Sequence, residues 1–438
     1  MGTRIFKSLR KLLLRKHLRH ISFTLGTITF QEWLETVLFL LFGRENLVNG
    51  KYVKQFESAF SEYIGAKYAF SFGAGRMAFY AILKAMDIKA GDEVILPGYT
   101  CVVVPNAVIY AGAKPVYVDI NPDDFTIDAR KIEAKITPNT KIIMVQPMFS
   151  SFCDMETISQ IAAKYNLKVI EDCAHALGAD YNGKKAGNFS DAAFFTMEQS
   201  KIITTWMGGM AVTNNVALAE KLQATQFDTE FLDRKATTKL VVQLVLHYLF
   251  RHPVTYLVGG YFLWLLSILG ILMPNILPEE IDGVKPEKYP IRLSNIQAKI
   301  GLKQLRNIGV NLKHRREVAA IYEDTLKELG LSIYQADNYN SAHIRYAFLV
   351  KERENLKEIF TKNQAELGEW YNSVIYPRDS SLEALYYQAG SCPVAEFTAD
   401  HCVNLPTHSK INSRDVSRII RLLQRHSNLL LNPHKEDA

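Results

Sequence analysis

The chain has 438 residues, 48% hydrophobic and 22% charged, which excludes wholesale disorder and is too long for one small core. A formal charge of +6 is mild at this length and gives no reason to expect a nucleic-acid partner. The cysteines, Cys101, Cys153, Cys173, Cys392 and Cys402, are odd in number and form no C-x-x-C pair, which argues against a disulfide framework or a metal site and for a reducing cytoplasm.

The opening residues are locally basic: Arg4, Lys7, Arg10, Lys11, Arg15, Lys16 and Arg19 precede the first acidic residue, Glu32. Ile5, Phe6, Leu9, Leu12, Leu13 and Leu18 recur at helical spacing opposite them, and the apolar "WLETVLFLLFG" follows. Residues 1–47 are therefore expected to lie on a membrane surface, with a helix docked on the core as the alternative. "HISFTLGTITFQ" is too polar for a secretory core, and Phe6 stands where a myristoylation signal wants Ser or Thr.

From about residue 52 to 225 helical patterns alternate with short apolar runs. "FESAFSEYIG" predicts a helix closed by Gly65, "YAFSF" a strand and "GRMAFYAILKAM" a helix. "EVILP", "KPVYVDI" and "TKIIMVQP" predict strands, "METISQIAAKYN" a helix and "KVIED" a strand. These crossovers imply a mostly parallel sheet in a large α/β domain over 48–290. Within it, about 239–280 is strongly apolar: "VTYLVGGYFLWLLSILGILM" runs for residues 254–273 without a charge, long enough to cross a bilayer. A single crossing would separate the two halves of the molecule, so a re-entrant or in-plane segment is expected, with a buried hairpin or an oligomer contact as alternatives. After 290 a long amphipathic helical stretch, mixed strands and the final "SRDVSRIIRLLQRH" predict a smaller α+β domain over 291–438.

The chemistry-bearing residues cluster in three places. "VIEDCAHALGA" ends a strand on Glu171 and Asp172, with His175 three residues beyond Asp172; a strand-end carboxylate points into the ligand crevice of an α/β sheet. "FFTMEQSKIITTWMGG" holds Lys201 between a strand-like segment and a glycine pair, away from the solvated helix faces where lysines usually sit. "SFGAGRMAFYAIL" places Gly75 and Arg76 at the start of a helix, whose open N–H groups suit a phosphate. Together they suit pyridoxal phosphate: a carboxylate keeps the ring nitrogen protonated, and a lysine within bonding reach of the aldehyde carbon forms the Schiff base.

At this point the chain resembles the DegT/StrS family of fold-type I pyridoxal phosphate enzymes, over about residues 48 to 428 outside one insertion. "ILPGYTCVVVPNAVIYAGAKPVYVDINPDDFTID", "VIEDCAHALGA", "FFTMEQSKIITTWMGGMAVTNN" and "RLSNIQAKIGLKQL" carry the likeness. The resemblance implies a fold-type I large domain, a small α+β domain and an added apolar insertion. It makes Lys201 the catalytic lysine, Asp172 the pyridinium partner and Thr196 a phosphate ligand, and lays His175 over the cofactor ring. Three departures stand out. Cys101 occupies a position often aromatic, leaving ring contact to Tyr99. Pro290 replaces an asparagine that reaches the partner subunit's phosphate. Arg76 replaces the usual threonine at the phosphate turn. The retained lysine implies an aminotransferase with ping-pong kinetics and, by analogy, glutamate as donor and a keto-sugar on a nucleotide or lipid carrier as acceptor. A homodimer working in the cytoplasm at the membrane surface, for glycan or envelope synthesis, is expected. A non-sugar lipid-like acceptor and a non-catalytic membrane scaffold are the alternatives.

Overall fold

The computed structural model describes residues 19–23, 26–43, 47–149, 151–274, 276–331 and 339–432. Most of the basic amphipathic pattern, from Arg4 to Leu18, lies outside the described residues.

The helix α1 (Phe30–Phe42) begins with a capping box between Thr29 and Glu32. Next, α2 (Tyr52–Ile64) stops at Gly65, which adopts the left-handed conformation. Strands and helices then alternate as the sequence rhythm predicts: β1 (Tyr68–Phe72), α3 (Gly75–Ala85), β2 (Glu93–Pro97), α4 (Val103–Ala111), β3 (Lys114–Val118), β4 (Thr140–Val145), α5 (Met155–Tyr165), β5 (Lys168–Asp172), β6 (Ala192–Thr196), β7 (Gly209–Thr213) and α6 (Val216–Asp228). The strands form one sheet in the order β1-β7-β6-β5-β4-β2-β3. Pairing is parallel from β6 to β3, and β7 runs against both its neighbours. No crossover helix separates β6 from β7, so the chain simply returns antiparallel, and the connecting loop carries Lys201. Successive strand residues pack on opposite faces: Leu96, Met144 and Ile170 on one, Ile95, Ile143 and Val169 on the other.

The apolar stretch forms two helices, α7 (Arg234–Phe250) and α8 (Tyr256–Ile268). Gln243 pins their hairpin by exchanging hydrogen bonds with the backbone of Met273 (2.8 and 2.9 Å). Among the described residues no helix is long and apolar enough to cross a membrane. The uncharged run 254–273 is not one helix: the rise of α8 is about 20 Å, against roughly 30 Å of bilayer core. Leu240, Val241 and Leu244 of α7 bury against Trp206 and Ile300, and α1 leans on α7 through Trp33, which stacks on Tyr248 (5.6 Å). The outward side of α1 and the hairpin stays apolar, with Phe30, Leu34, Leu38, Leu41 and Phe42 exposed on α1 and Leu249, Val258, Phe262 and Ile268 exposed on the hairpin.

The long amphipathic stretch divides at Asn307 into α9 (Asn295–Arg306) and α10 (Ile308–Glu328). Ala298, Leu302 and Leu305 of α9 join the core beneath the large sheet. A second body is built from α10, β8 (Arg345–Leu349), α11 (Arg353–Lys362), β9 (Cys402–Pro406) and α13 (Ser413–Arg425), with β8 and β9 antiparallel, while α12 (Pro393–His401) packs Ala395 and Ala399 into the large body's core. Its own cluster holds Leu326, Phe348, Phe360, Leu405 and Ile419, joined by Ile21 from the N-terminal arm. Between α11 and α12 the chain returns to the large body: Ile375–Tyr376 pairs parallel with Thr100–Cys101, just beyond the end of β2. That excursion places Trp370 to Pro377 over the C-terminal ends of the large-sheet strands.

Candidate active site

A cavity of about 410 Å³ opens at those strand ends. Six of the sequence-predicted residues line it: Gly75, Arg76, Cys101, Asp172, Thr196 and Lys201. They come from four separate stretches of the large body, brought together by sheet order.

The strand β5 ends on two carboxylates that point opposite ways. Glu171 turns to the far face, where the Gly187 and Phe189 N–H groups and the Ser190 hydroxyl donate to it (2.8–2.9 Å), a structural arrangement. Asp172 faces the cavity and accepts the Ala174 N–H (2.9 Å). Burial pushes its carboxyl up to about 6, against the pull of the Ala174 N–H and the Lys201 charge.

Lys201 sits in the loop between β6 and β7. Its N–H donates to Glu198 O, and the loop is anchored from behind where Thr204 N–H and Thr27 Oγ1 both donate to Gln304 Oε1. The side chain is buried and Nζ lies 4.6 Å from the Trp370 ring centre. Burial lowers its amine to about 8; Glu198 and Asp172 oppose that shift and Arg345 adds to it. The glycine pair after the loop has a packing reason. A Cβ on Gly209 would stand 2.1 Å from Ala74 O, so β7 could not press against the turn that opens α3.

That turn leaves donors open. Ala74, the N-cap of α3, has no side-chain acceptor for the first N–H groups of the helix. Thr196 stands across from Gly75, close enough that a Cβ there would meet its Cβ at 2.6 Å. Arg76 is held from outside by an ion pair between its Nε and the fully buried Glu280, and its carbonyl accepts the Tyr289 hydroxyl (2.9 Å). Glu280 is itself fixed: its Oε2 accepts the Leu277 N–H and its carbonyl accepts Asn106 Nδ2. It lies just past the apolar hairpin, so this segment reaches the cavity, where Ile276 also contributes to the wall.

The two other residues expected at the ring, Tyr99 and His175, are not on the cavity lining. Tyr99 is fully buried, and its hydroxyl donates to Tyr371 O (2.8 Å) and accepts the Tyr371 N–H (2.7 Å), which holds it in the core behind the wall. His175 is buried parallel to Trp370 (ring centres 5.7 Å, interplanar 3°), outside the cavity lining. Burial, with Lys201 and Arg345 adding, drives its imidazole well below the usual range, so it is neutral. Cys101 does line the cavity, as a thiol that burial raises to about 11.

Sequence reasoning missed the opposite wall, Trp370, Tyr371 and Tyr376, with Gln146 and Glu198 beside the lysine loop. The aromatic run "WYNSVIYP" was the available signal for that wall. Arg345, stacked on Trp370, was missed too; nothing local marks it out in "HIRYAFLV".

Comparison with known proteins adds three facts. The sequence profile of the DegT/DnrJ/EryC1/StrS aminotransferase family matches residues 34–245 and 281–424. GDP-perosamine synthase of Caulobacter vibrioides is 33% identical over 378 residues, 85% of this chain and 90% of that protein; dTDP-3-amino-3,6-dideoxy-alpha-D-galactopyranose transaminase of Aneurinibacillus thermoaerophilus is 32% identical over 380 residues, 86% and 90%. Among solved structures, the PLP form of Spr1654 from Streptococcus pneumoniae superposes with a TM-score of 0.70 at 22% identity, covering 93% of this chain and 99% of that one.

Proposed function

The chain belongs to the DegT/DnrJ/EryC1/StrS aminotransferase family and is a pyridoxal-phosphate-dependent aminotransferase; from that premise we propose that it moves an amino group from glutamate to a keto-sugar held on a nucleotide or lipid carrier. The observation that carries the reading is one cavity holding a buried lysine of lowered basicity, a strand-end carboxylate and an open helix N-terminus. The relatives' names supply the sugar class.

The residues fit the cofactor. The N–H groups at the start of α3, the Arg76 guanidinium and the Thr196 hydroxyl would hold the phosphate. Asp172 would face the ring nitrogen and keep its proton. Bound there, pyridoxal phosphate supplies an electron sink beside the carbon that loses its proton. Lys201 Nζ would take up and return the proton at the α-carbon of the donor, and later at the sugar carbon that gains nitrogen. Trp370 and Tyr371, which line that side of the cavity, would keep water from the reacting carbon.

With Nε occupied by Glu280, the Nη fork of Arg76 is left for the phosphate. Glu280→Gln should therefore weaken pyridoxal phosphate binding roughly 10-fold, through loss of an oriented charge-assisted contact. Affinity for pyridoxal, which lacks the phosphate, should barely change. Fluorescence titration of cofactor-free protein measures both; an equal loss for the two ligands would count against Arg76 as a phosphate partner.

Membrane association belongs to the same proposal. The apolar stripe of α1 and the hairpin gives it a greasy face, and the basic opening residues suit anionic headgroups. Residues 246–280, the end of α7 and all of α8, fall between the two stretches matched by the family, which supports reading α8 as an insertion on the scaffold, while most of α7 lies inside the matched stretch. Leu38→Asp combined with Phe262→Asp should cut co-sedimentation with anionic vesicles by at least ~10-fold, given the cost of burying a carboxylate in lipid. An unchanged bound fraction would end the membrane reading. A homodimer is proposed as well, and light scattering of detergent-solubilised protein tests it.

A spectrum tests the core of the proposal: glutamate should bleach the visible band of the bound cofactor, and a nucleotide-linked keto-sugar should restore it.

A further inference from the structure

A second, smaller cavity of about 40 Å³ lies behind the loop that carries Lys201. Four parts of the chain meet around it: the N-terminal arm at Gly26, the lysine loop at Gln199 and Thr204, the C-terminal end of α7 with the turn beyond it, and the loop after β9 at Lys410. Gln199 also lines the large cavity, so one residue of the lysine loop borders both spaces.

The lining is cationic. Arg251, Lys410, His247 and His252 contribute to it, and no carboxylate does. Arg251 Nη1 donates to the Tyr256 hydroxyl (3.2 Å), but its buried Nε has no partner among the described residues, and the Lys410 ammonium stands over the Tyr248 ring (5.2 Å). Neighbouring Arg19 shows the ordinary arrangement, an ion pair with Asp415 at 3.0 Å. The arm that borders the pocket brings no counter-charge, since the chain has no acidic residue before Glu32. Glu32, the acid that Lys410 feels, is engaged in the capping box with Thr29; Glu366 reaches Arg251 only through the Tyr256 hydroxyl, which donates to it. Burial, with Arg251 adding, holds the His247 imidazole down at about 3, and burial with Lys410 and Arg19 lowers that of His252. Basic side chains in the last turn of a helix answer its dipole. That accounts for His247 and Arg251 but not for Lys410, which arrives from the second body.

Size and surroundings narrow the ligand. The pocket has room for roughly three waters, which suits the oxygens of one phosphate and is too small for a nucleotide. His252 is exposed, so the pocket reaches the surface. Its rim carries the exposed Leu249 and Val254, and Tyr248 stacks on Trp33, continuing the apolar face of α1 and the hairpin. Cations with Trp and Tyr beside exposed apolar side chains make the composition of a membrane interface, where lipid phosphates sit.

We propose that this pocket binds the phosphate of an anionic lipid headgroup, with Arg251 and Lys410 as its charged partners and the acyl chains lying along the hairpin. Phosphate can accept from an arginine fork and a lysine ammonium at once. A soluble phosphate offers the same group, and the test separates the two sources. The lipid source rests on the membrane reading above; the anion site does not. Seated there, the headgroup lies against Gln199, two residues before Lys201, so the membrane contact bears on the catalytic loop.

The experiment uses holoenzyme, in which the proposed cofactor phosphate site is filled. Calorimetry follows binding of dihexanoyl phosphatidic acid below its micelle concentration, of glycerol phosphate and of inorganic phosphate. The lipid should bind at least ~10-fold tighter than glycerol phosphate, because its chains meet the apolar rim. Arg251→Gln and Lys410→Gln should each weaken lipid binding about 10-fold, the size of one charge-assisted contact, and leave the cofactor band unchanged. Lipid binding that neither substitution changes, or no binding of any of the three probes, would overturn the site. Glycerol phosphate binding as tightly as the lipid, with the same loss in both variants, would overturn the lipid source. If Arg251→Gln does not fold, Lys410→Gln decides: a loss of about fivefold or more supports the site, and no change overturns it. Failure of the membrane reading looks different. Vesicle sedimentation would then ignore Leu38→Asp with Phe262→Asp, while glycerol phosphate binding would still depend on Arg251 and Lys410.

Discussion

Lys201→Ala is expected to lower amino transfer at least ~10³-fold, because it removes the amine placed in the cavity wall to move the proton, a role generally worth 10²–10⁴. The effect should fall on kcat in both half-reactions, and binding of pyridoxamine phosphate should persist, since the phosphate and ring-nitrogen contacts proposed above lie elsewhere. Rapid-quench measurement of each half-reaction checks it; a loss of less than about tenfold would remove Lys201 from the chemistry. The lowered basicity adds a pH signature. In cofactor-free protein the amine must be neutral to attack the aldehyde, and burial brings it to about 8. The rate of cofactor loading should rise about tenfold per pH unit below 8 and level off above it. A lysine at its ordinary value would keep the rate climbing to beyond pH 10.

Asp172→Asn is the second large effect. Asparagine cannot supply the negative charge that would keep the ring nitrogen protonated, so kcat should fall about 10²- to 10³-fold, comparable to losing one preorganised electrostatic contact. The same substitution should stabilise the cofactor-free protein at neutral pH. The folded state holds this carboxyl protonated up to about 6, against 3.8 for the free group, so between those values the folded state binds more protons than the unfolded one. Its contribution to stability falls as pH rises through that window and stays lost above it. Asparagine never ionises. Cofactor-free Asp172→Asn should therefore melt higher than wild type at pH 7.5 and differ little at pH 4, and the advantage should shrink once pyridoxal phosphate brings a counter-charge. A lower melting temperature at pH 7.5 would show that the carboxylate is already compensated without cofactor.

The predicted elements of the large body appear in the structure in their predicted order. Asp172 was legible because alternation along β5 sends one of two adjacent carboxylates to the strand-end crevice and the other to the far face. Lys201 was legible because a lysine beside two buried aromatics and a glycine pair has no solvated face to occupy. What Tyr99 and His175 pack against was less legible: the hydrogen bonds to Tyr371 and the stacking on Trp370 join residues about two hundred or more positions apart in the chain. The long amphipathic stretch after residue 290 looked continuous, yet it divides at Asn307; Ile308 and Leu312 of α10 still bury with α9 beneath the large sheet, and from Val318 onward α10 turns to the second body.

By itself, then, the sequence determined the order of strands and helices, the largely parallel sheet and the lysine, carboxylate and helix start, since periodicity, turn residues and short motifs act over a few residues. Only the tertiary structure decided what completes the site. Glu280 holds Arg76 across about two hundred residues of chain, Phe23 from the N-terminal arm meets Arg345 beside Trp370, and α1 lies along the apolar hairpin. The physical reason is that a buried charge or a ring takes whichever partner the path of the chain brings within a few ångströms, and no local pattern records that partner.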